Sequence, residues 1–133
     1  MKRLHGVIAV AIVAMANAAA ACGYCVEDRI AAVYDHALTL RAAGGKLQIA
    51  YFAWDGPVAR SSEMRAKIVS AVQGTGGVDG PSVRVSMEPA AIAVAFDPAR
   101  VKREQLDASM RRRLSALKID LTSLQTSPPP PRP

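Results

Sequence analysis

The sequence is poor in the side chains that carry most catalysis and metal binding. Its 133 residues include two cysteines, two histidines and only 5% aromatic residues. Alanine, valine and leucine must therefore fill most of the core of one small domain. Motifs for a nucleophile–base pair, a phosphate-binding glycine loop or a recognisable carboxylate pair are also missing. We therefore expect a protein that is not an enzyme.

Residues 1–21 have the pattern of a secretory signal peptide. Lys2 and Arg3 are followed by an apolar run at residues 6–16, and residues 16–21, ANAAAA, offer several small-residue cleavage sites. The alternative is a membrane anchor, but the run is shorter than the ~20 apolar residues of a spanning helix. We expect a periplasmic or secreted protein with no stable membrane span after cleavage.

The net charge is modest and unevenly distributed. The whole chain carries +6, and loss of Lys2 and Arg3 leaves 15 basic against 11 acidic residues, or +4. Much of this charge lies between residues 100 and 118. An acidic partner or membrane surface would use it, but a solvated helix face with Glu104 and Asp107 interleaved is the simpler interpretation. Secretion also argues against a nucleic-acid partner.

Hydrophobic periodicity predicts an α+β domain. A leading helix over residues 26–43 carries an apolar stripe formed by Ile30, Val33, Tyr34, Ala37 and Leu38. The elements that follow are a strand at 46–54, a helix at 62–77, strands at 82–88 and 91–98, a helix near 99–115 and a strand at 117–122. This β-α-β-β-α-β order predicts a ferredoxin-like sandwich with an extra N-terminal helix. Residues 123–133 form a proline-rich tail that we expect to be disordered.

Residues 46–122 resemble the heavy-metal-associated domain family, which includes small copper chaperones and modules of copper-pumping ATPases. The resemblance is strongest over residues 76–110, GGVDGPSVRVSMEPAAIAVAFDPARVKREQLDASM. It implies the ferredoxin-like fold and a metal site in the loop before the first helix of the domain. The family's two cysteines should fall at positions 61 and 64, but this chain has Ser61 and Met64, with Ala59 at the family's methionine position.

Two interpretations of this departure stay open. Met64 is a possible thioether ligand, although a core position in its helix is the simpler role. The domain could also be an interaction module that kept the fold and lost the metal.

The chain's own CxxC, Cys22 and Cys25, lies before the leading helix. We expect that helix to cover the second face of the sheet, formed by Ala50, Phe52 and Trp54 with Ala91, Ala93 and Ala95. The helix (~27 Å) and the first strand (~30 Å) have similar lengths and are joined by Gly44-Gly45, which would bring the thiols beside residues 55–63.

The chemistry of the pair favours a soft metal ion. A helix N-terminus should lower the pKa of both thiols, and two thiolates satisfy Cu(I), whereas Zn(II) needs more ligands. The metal site would therefore be Cys22 and Cys25, with Cu(I) or another soft ion and a partner protein that offers its own cysteine pair. His36, about 16 Å further along a continuous helix, is expected to be exposed and not a ligand.

Three other roles for these cysteines stay open. Cys22 and Cys25 could form a disulfide in an oxidising compartment. They could form a thiol redox centre, although no strand precedes them as in thioredoxin-like proteins. Cys22 could also carry a lipid, with Ala19 where a larger residue is usual.

Overall fold

The computed structural model describes residues 25–124. The predicted signal peptide, Cys22 and the proline-rich residues 125–133 lie outside this part of the chain. The helices are α1 (Val26–Val33), α2 (His36–Gly44), α3 (Ser62–Gln73) and α4 (Arg103–Ser115). The strands are β1 (Gln48–Asp55), β2 (Arg84–Met87), β3 (Ala90–Phe96) and β4 (Asp120–Leu124).

The four strands form one antiparallel sheet in the order β2-β3-β1-β4. β1 and β3 occupy the centre, and each is followed by a helix that returns the chain to a strand at the edge of the sheet. This is the ferredoxin-like arrangement, so the predicted fold class, with helices added before β1, is confirmed.

The main core lies between the sheet and the layer formed by α3 and α4. Alternate residues of the central strands point into it because successive side chains in a strand face opposite sides. Its fully buried members include Phe52, Trp54, Ile92, Val94 and Phe96, together with Ile68, Leu106, Met110 and Leu114 from the helices. The chain therefore buries its one tryptophan and both phenylalanines on this face.

The opposite face of the sheet is covered by α1 and α2, as expected. Val33 packs on Ala91 and Ala93, while Leu38 and Ala42 pack on Ala95. The three alanines have no exposed surface. Small side chains let a helix approach the sheet closely, which is why a run of alanines can form a buried face.

The prediction of which β1 residues lie on this face was wrong. Ala50 lies opposite Val94 and Phe52 opposite Ile92, and directly opposed residues of antiparallel strands share a face. Ala50, Phe52 and Trp54 therefore belong to the main core, and Ile49 and Tyr51 line the face under the N-terminal helices. β1 is apolar on both faces, so its sequence alone does not distinguish them.

The single leading helix predicted for residues 26–43 is two helices. The chain leaves the helical conformation at Tyr34 and Asp35, and the Asp35 carboxylate accepts a hydrogen bond from the Leu38 amide (3.2 Å) as the N-cap of α2. The break leaves Tyr34 and Ala37 exposed, although the predicted stripe included both.

The other boundaries differ by a few residues. α4 begins at Arg103, later than predicted, because the Asp97 carboxylate accepts from the Ala99 amide (2.9 Å) and forms a turn first. Leu117 and Lys118 close another turn, so β4 runs over Asp120–Leu124 rather than 117–122. Leu124, which was expected in the tail, is buried opposite Tyr51.

Candidate metal centre

Cys25 is the N-cap residue of α1. Its backbone is extended (φ −68°, ψ 170°), and its carbonyl accepts the first helical hydrogen bond from the Arg29 amide at 3.2 Å. The thiol is exposed, and it forms no disulfide with any residue of 25–124. Cys22, the other residue of the predicted pair, lies outside the described residues. The described geometry is therefore that of one accessible thiol at a helix N-terminus.

Arg29 fixes the start of α1 at one end of the sheet. It lies one helical turn after Cys25, and its guanidinium donates to the Ala90 carbonyl at 2.6 Å. Ala90 begins β3, and the next residue, Ala91, lies opposite Ala53 near the end of β1. The first turn of α1 therefore lies at the end of the sheet from which residues 56–61 leave β1.

The loop that would hold thiols in the resembled family has a different chemistry here. Ser61 is the N-cap of α3, and its hydroxyl accepts from the Met64 amide at 3.1 Å. The Arg60 guanidinium lies 4.2 Å from the centre of the Trp54 ring, a cation–π distance. Ala59, like Arg60, is exposed. These residues stabilise the start of a helix and offer a metal ion no thiolate.

Met64 and Cys25 belong to opposite faces of the sheet. The Met64 side chain is half-buried against the main core under α3, whereas α1 packs on the alanine face. Packing against the core accounts for Met64 without a role as a ligand. Within residues 25–124 no group of three or more histidine, cysteine or acidic side chains is arranged to hold a metal ion.

The charges around Cys25 shift the pKa of its thiol in the direction opposite to the one expected. The backbone amide of Asp28 lowers the pKa of the thiol, as a helix N-terminus should. The carboxylates of Asp28 and Glu27, together with partial desolvation, outweigh that amide, so the pKa of Cys25 is raised. The prediction of a lowered pKa was therefore wrong. Acidic residues suit the dipole of the first helical turn, but they also repel the thiolate.

His36 is exposed, as expected, and begins α2 beyond the break at Asp35. Its Nδ1 lies 3.5 Å from the Tyr34 hydroxyl. It therefore stands on a different helix from Cys25 and contributes nothing to a site there.

The residues that hold the N-terminal helices in place were not predicted from the sequence. Asp35 is the clearest: it caps α2 and also accepts from the Arg84 side chain of β2 at 3.0 Å. Arg41 pairs with Asp79 at 3.2 Å in the same layer. An aspartate three residues before an apolar position is a known N-cap signal, and it could have identified the break. The distant arginine partners leave no signal of this kind.

No helix in the described part of the chain is long and apolar enough to cross a membrane. No family model matches the chain, and no curated protein matches it either. Among solved structures, it is similar to oxidized MerP from Ralstonia metallidurans CH34, with 19% identity and a TM-score of 0.46, over 59% of this chain and 99% of MerP. It is also similar to a copper-binding domain of the P-type ATPase HMA7, with 17% identity and a TM-score of 0.46, over 58% of this chain and 93% of that domain. At these identities the likeness is one of fold.

Proposed function

We propose that this protein binds a soft metal ion, Cu(I) in the simplest case, through Cys22 and Cys25. The observation that carries the proposal is the exposed Cys25 thiol at the N-terminus of α1. The CxxC spacing would let the Cys22 thiol reach the same ion. Two thiolates suffice for Cu(I) in a linear geometry, so the lack of a larger ligand cluster within residues 25–124 is compatible with this metal.

The exposure of Cys25 suits transfer rather than storage. A metal held at the surface can pass to a partner's cysteine pair by exchange of one thiolate at a time, with no opening of the core. The start of α1 is fixed by the Arg29–Ala90 hydrogen bond, which would hold the site steady during such an exchange. The protein would work in the periplasm or outside the cell, after removal of residues 1–21, and would not be an enzyme.

The raised pKa of Cys25 favours a second candidate. A thiol that keeps its proton binds metal less readily, because metal binding must displace that proton. The protein would then be an interaction module without metal, with Cys22 and Cys25 joined as a disulfide. In this chain Ser61 caps α3 and Met64 packs against the main core, at the positions where the resembled family has its two thiols. The absence of thiols at these positions agrees with this alternative.

Native mass spectrometry of the secreted, reduced protein with one equivalent of Cu(I) distinguishes the two functions. We expect one bound copper in the wild type and none in the Cys22→Ser/Cys25→Ser variant. Met64→Leu is the matched control: it keeps the volume of a half-buried side chain, removes its sulfur and should retain the copper.

Three results would contradict the proposal. Equal masses with and without copper would favour the interaction module. Loss of copper in Met64→Leu would move the site to the α3 side of the sheet. A lipid-sized mass increase on Cys22 would leave Cys25 as a single thiol and exclude the two-thiolate site.

A further inference from the structure

An open groove runs along α4 beside the turn that follows α3. Its volume is about 560 Å³, and its polar lining comes from Arg100, Gln105, Ser109, Arg112 and the backbone of Gly76 and Gly77. Val101 and Ala108 complete it. The lining therefore combines two guanidinium groups, a side-chain amide and a hydroxyl, and it contains no carboxylate.

The two guanidinium groups of the groove differ from the paired basic residues elsewhere. Arg41, Lys67, Arg84 and Arg103 each lie within 3.3 Å of a carboxylate oxygen. Within residues 25–124, Arg100 and Arg112 have neither an ion pair nor a side-chain hydrogen bond, and both are exposed. Their charges are available to a ligand.

The shape of the groove depends on Gly77. This residue has a positive φ of 86°, a conformation that favours glycine, and a Cβ there would collide with the Val101 side chain. Gly76 has open space where its Cβ would be. The two glycines keep this wall free of side chains, so a ligand can approach the backbone between the two arginines.

The C-terminal end of α3 does not cancel the positive potential of Arg100 and Arg112. The carbonyl of Ser70 accepts from the Gly74 amide (3.1 Å), and that of Ala71 accepts from the Thr75 hydroxyl (3.2 Å). The Arg113 guanidinium lies beside Gly74, where a Cβ would be 2.9 Å from its Nη1. A helix C-terminus repels anions, but here its carbonyls are hydrogen-bonded and a further cation stands next to it.

We propose that this groove binds an oxyanion of the phosphate type, either free or on a larger molecule. Arg100 and Arg112 would hold the oxygens through the forked, charge-assisted hydrogen bonds that suit guanidinium groups. The Gln105 amide is free to donate, because its oxygen already accepts from the Lys102 amide at 3.2 Å. The Ser109 hydroxyl supplies a further donor.

This site is separate from Cys25. Arg100 follows β3 just after its last residue, Phe96, whereas α1 begins beside Ala90, the first residue of that strand. The two sites therefore lie at opposite ends of the sheet, and the proposal stands or falls independently of metal binding.

The test is a titration of the full secreted chain with inorganic phosphate, followed by amide chemical shifts. We expect shifts at residues 76–77 and 100–112 with millimolar affinity, and at least a tenfold loss of affinity in Arg100→Gln/Arg112→Gln. Arg111→Gln is the matched control, since it removes the same kind of charge from the same helix outside the groove, and it should keep most of the affinity. Unchanged circular dichroism verifies folding in each variant.

Two results would overturn the proposal: no localised shifts in the wild type, or equal losses in Arg111→Gln and the double variant, which would indicate only diffuse attraction. If phosphate binds as expected, vesicles separate the sources of the oxyanion. Binding to phosphatidylglycerol vesicles but not to phosphatidylcholine vesicles, lost in the double variant, assigns a lipid headgroup. Phosphate binding without vesicle binding indicates that the ligand of the groove is a soluble phosphate compound.

Discussion

At the scale of single residues, Cys25 stands where two electrostatic effects oppose each other. The Asp28 amide favours the thiolate, while the Asp28 and Glu27 carboxylates favour the thiol and prevail. We predict that Asp28→Asn lowers the pKa of Cys25, because it removes one negative charge and keeps the amide. The rate of alkylation as a function of pH measures this pKa in a Cys22→Ser background, in which Cys25 is the one remaining cysteine.

The control for this experiment is Glu63→Gln, which neutralises an exposed acid in the first turn of α3. It should leave the alkylation profile of Cys25 unchanged. If the pH profile of alkylation is the same in Asp28→Asn as in the parent protein, the Asp28 carboxylate does not raise the pKa of the thiol. Because metal binding requires the thiolate, Asp28→Asn should also let copper bind at lower pH.

Ala93 is the residue that most directly sets the distance between the sheet and α1. It has no exposed surface and lies under Val33. We predict that Ala93→Leu lowers the free energy of unfolding by about 1–3 kcal/mol, because the added atoms find no space in a packed layer. Urea denaturation measures the change. Ala66→Leu, at an exposed position of α3, should have little effect, and an equal loss there would contradict the packing argument.

At the scale of elements, the junction of α1 and α2 depends on an ionised Asp35. The Leu38 amide and then the Arg84 guanidinium lower the pKa of this carboxyl below its ordinary value of 3.8. A lowered folded-state pKa adds stability above the ordinary value, and that stability is lost as the pH falls through the folded-state value. We predict that the N-terminal layer loosens on acidification below about pH 4 more in the wild type than in Asp35→Asn.

Hydrogen exchange of the α2 amides measures this loosening at neutral and acidic pH. The Asp35→Asn variant keeps a side-chain oxygen that can cap α2 but has no charge to titrate there, so it should show a smaller change with pH. An identical pH response in the two proteins would mean that other carboxyls control the layer. Glu63→Gln is again the control, because Glu63 lies on the other face of the sheet.

The elements also show how far the sequence could be interpreted. Val83 and Val85 alternate with polar residues and both are buried, so the alternation alone indicates the inward face of the chain before and within β2. β1 has apolar residues on both faces, and only its register with β3 places Phe52 with Ile92. The break at Asp35 was missed because an apolar stripe continues through it. At the candidate site, the sequence predicts a role for Cys25 but gives no signal for Arg29, whose backbone partner is 61 residues away.

At the scale of the whole molecule, the fold separates the two proposed sites by the length of the central strands. Cys25 lies at the end where β1 finishes, and the arginine groove lies near the end of β3. The residues between them are the closely packed alanines and the main core. Coupling between distant sites requires an element with alternative states that both ligands influence.

We therefore predict that Cu(I) leaves the phosphate affinity of the groove unchanged within about twofold, which is below the coupling typical of allosteric proteins. Phosphate titrations of the metal-free and copper-loaded protein measure this, with Cys22→Ser/Cys25→Ser plus Cu(I) as the control for copper bound elsewhere. Thermodynamic linkage makes the effect reciprocal, so phosphate should not change copper affinity either. A larger change in the wild type alone would mean that α1 moves on binding metal and that the sheet transmits this movement to the turn at Gly77.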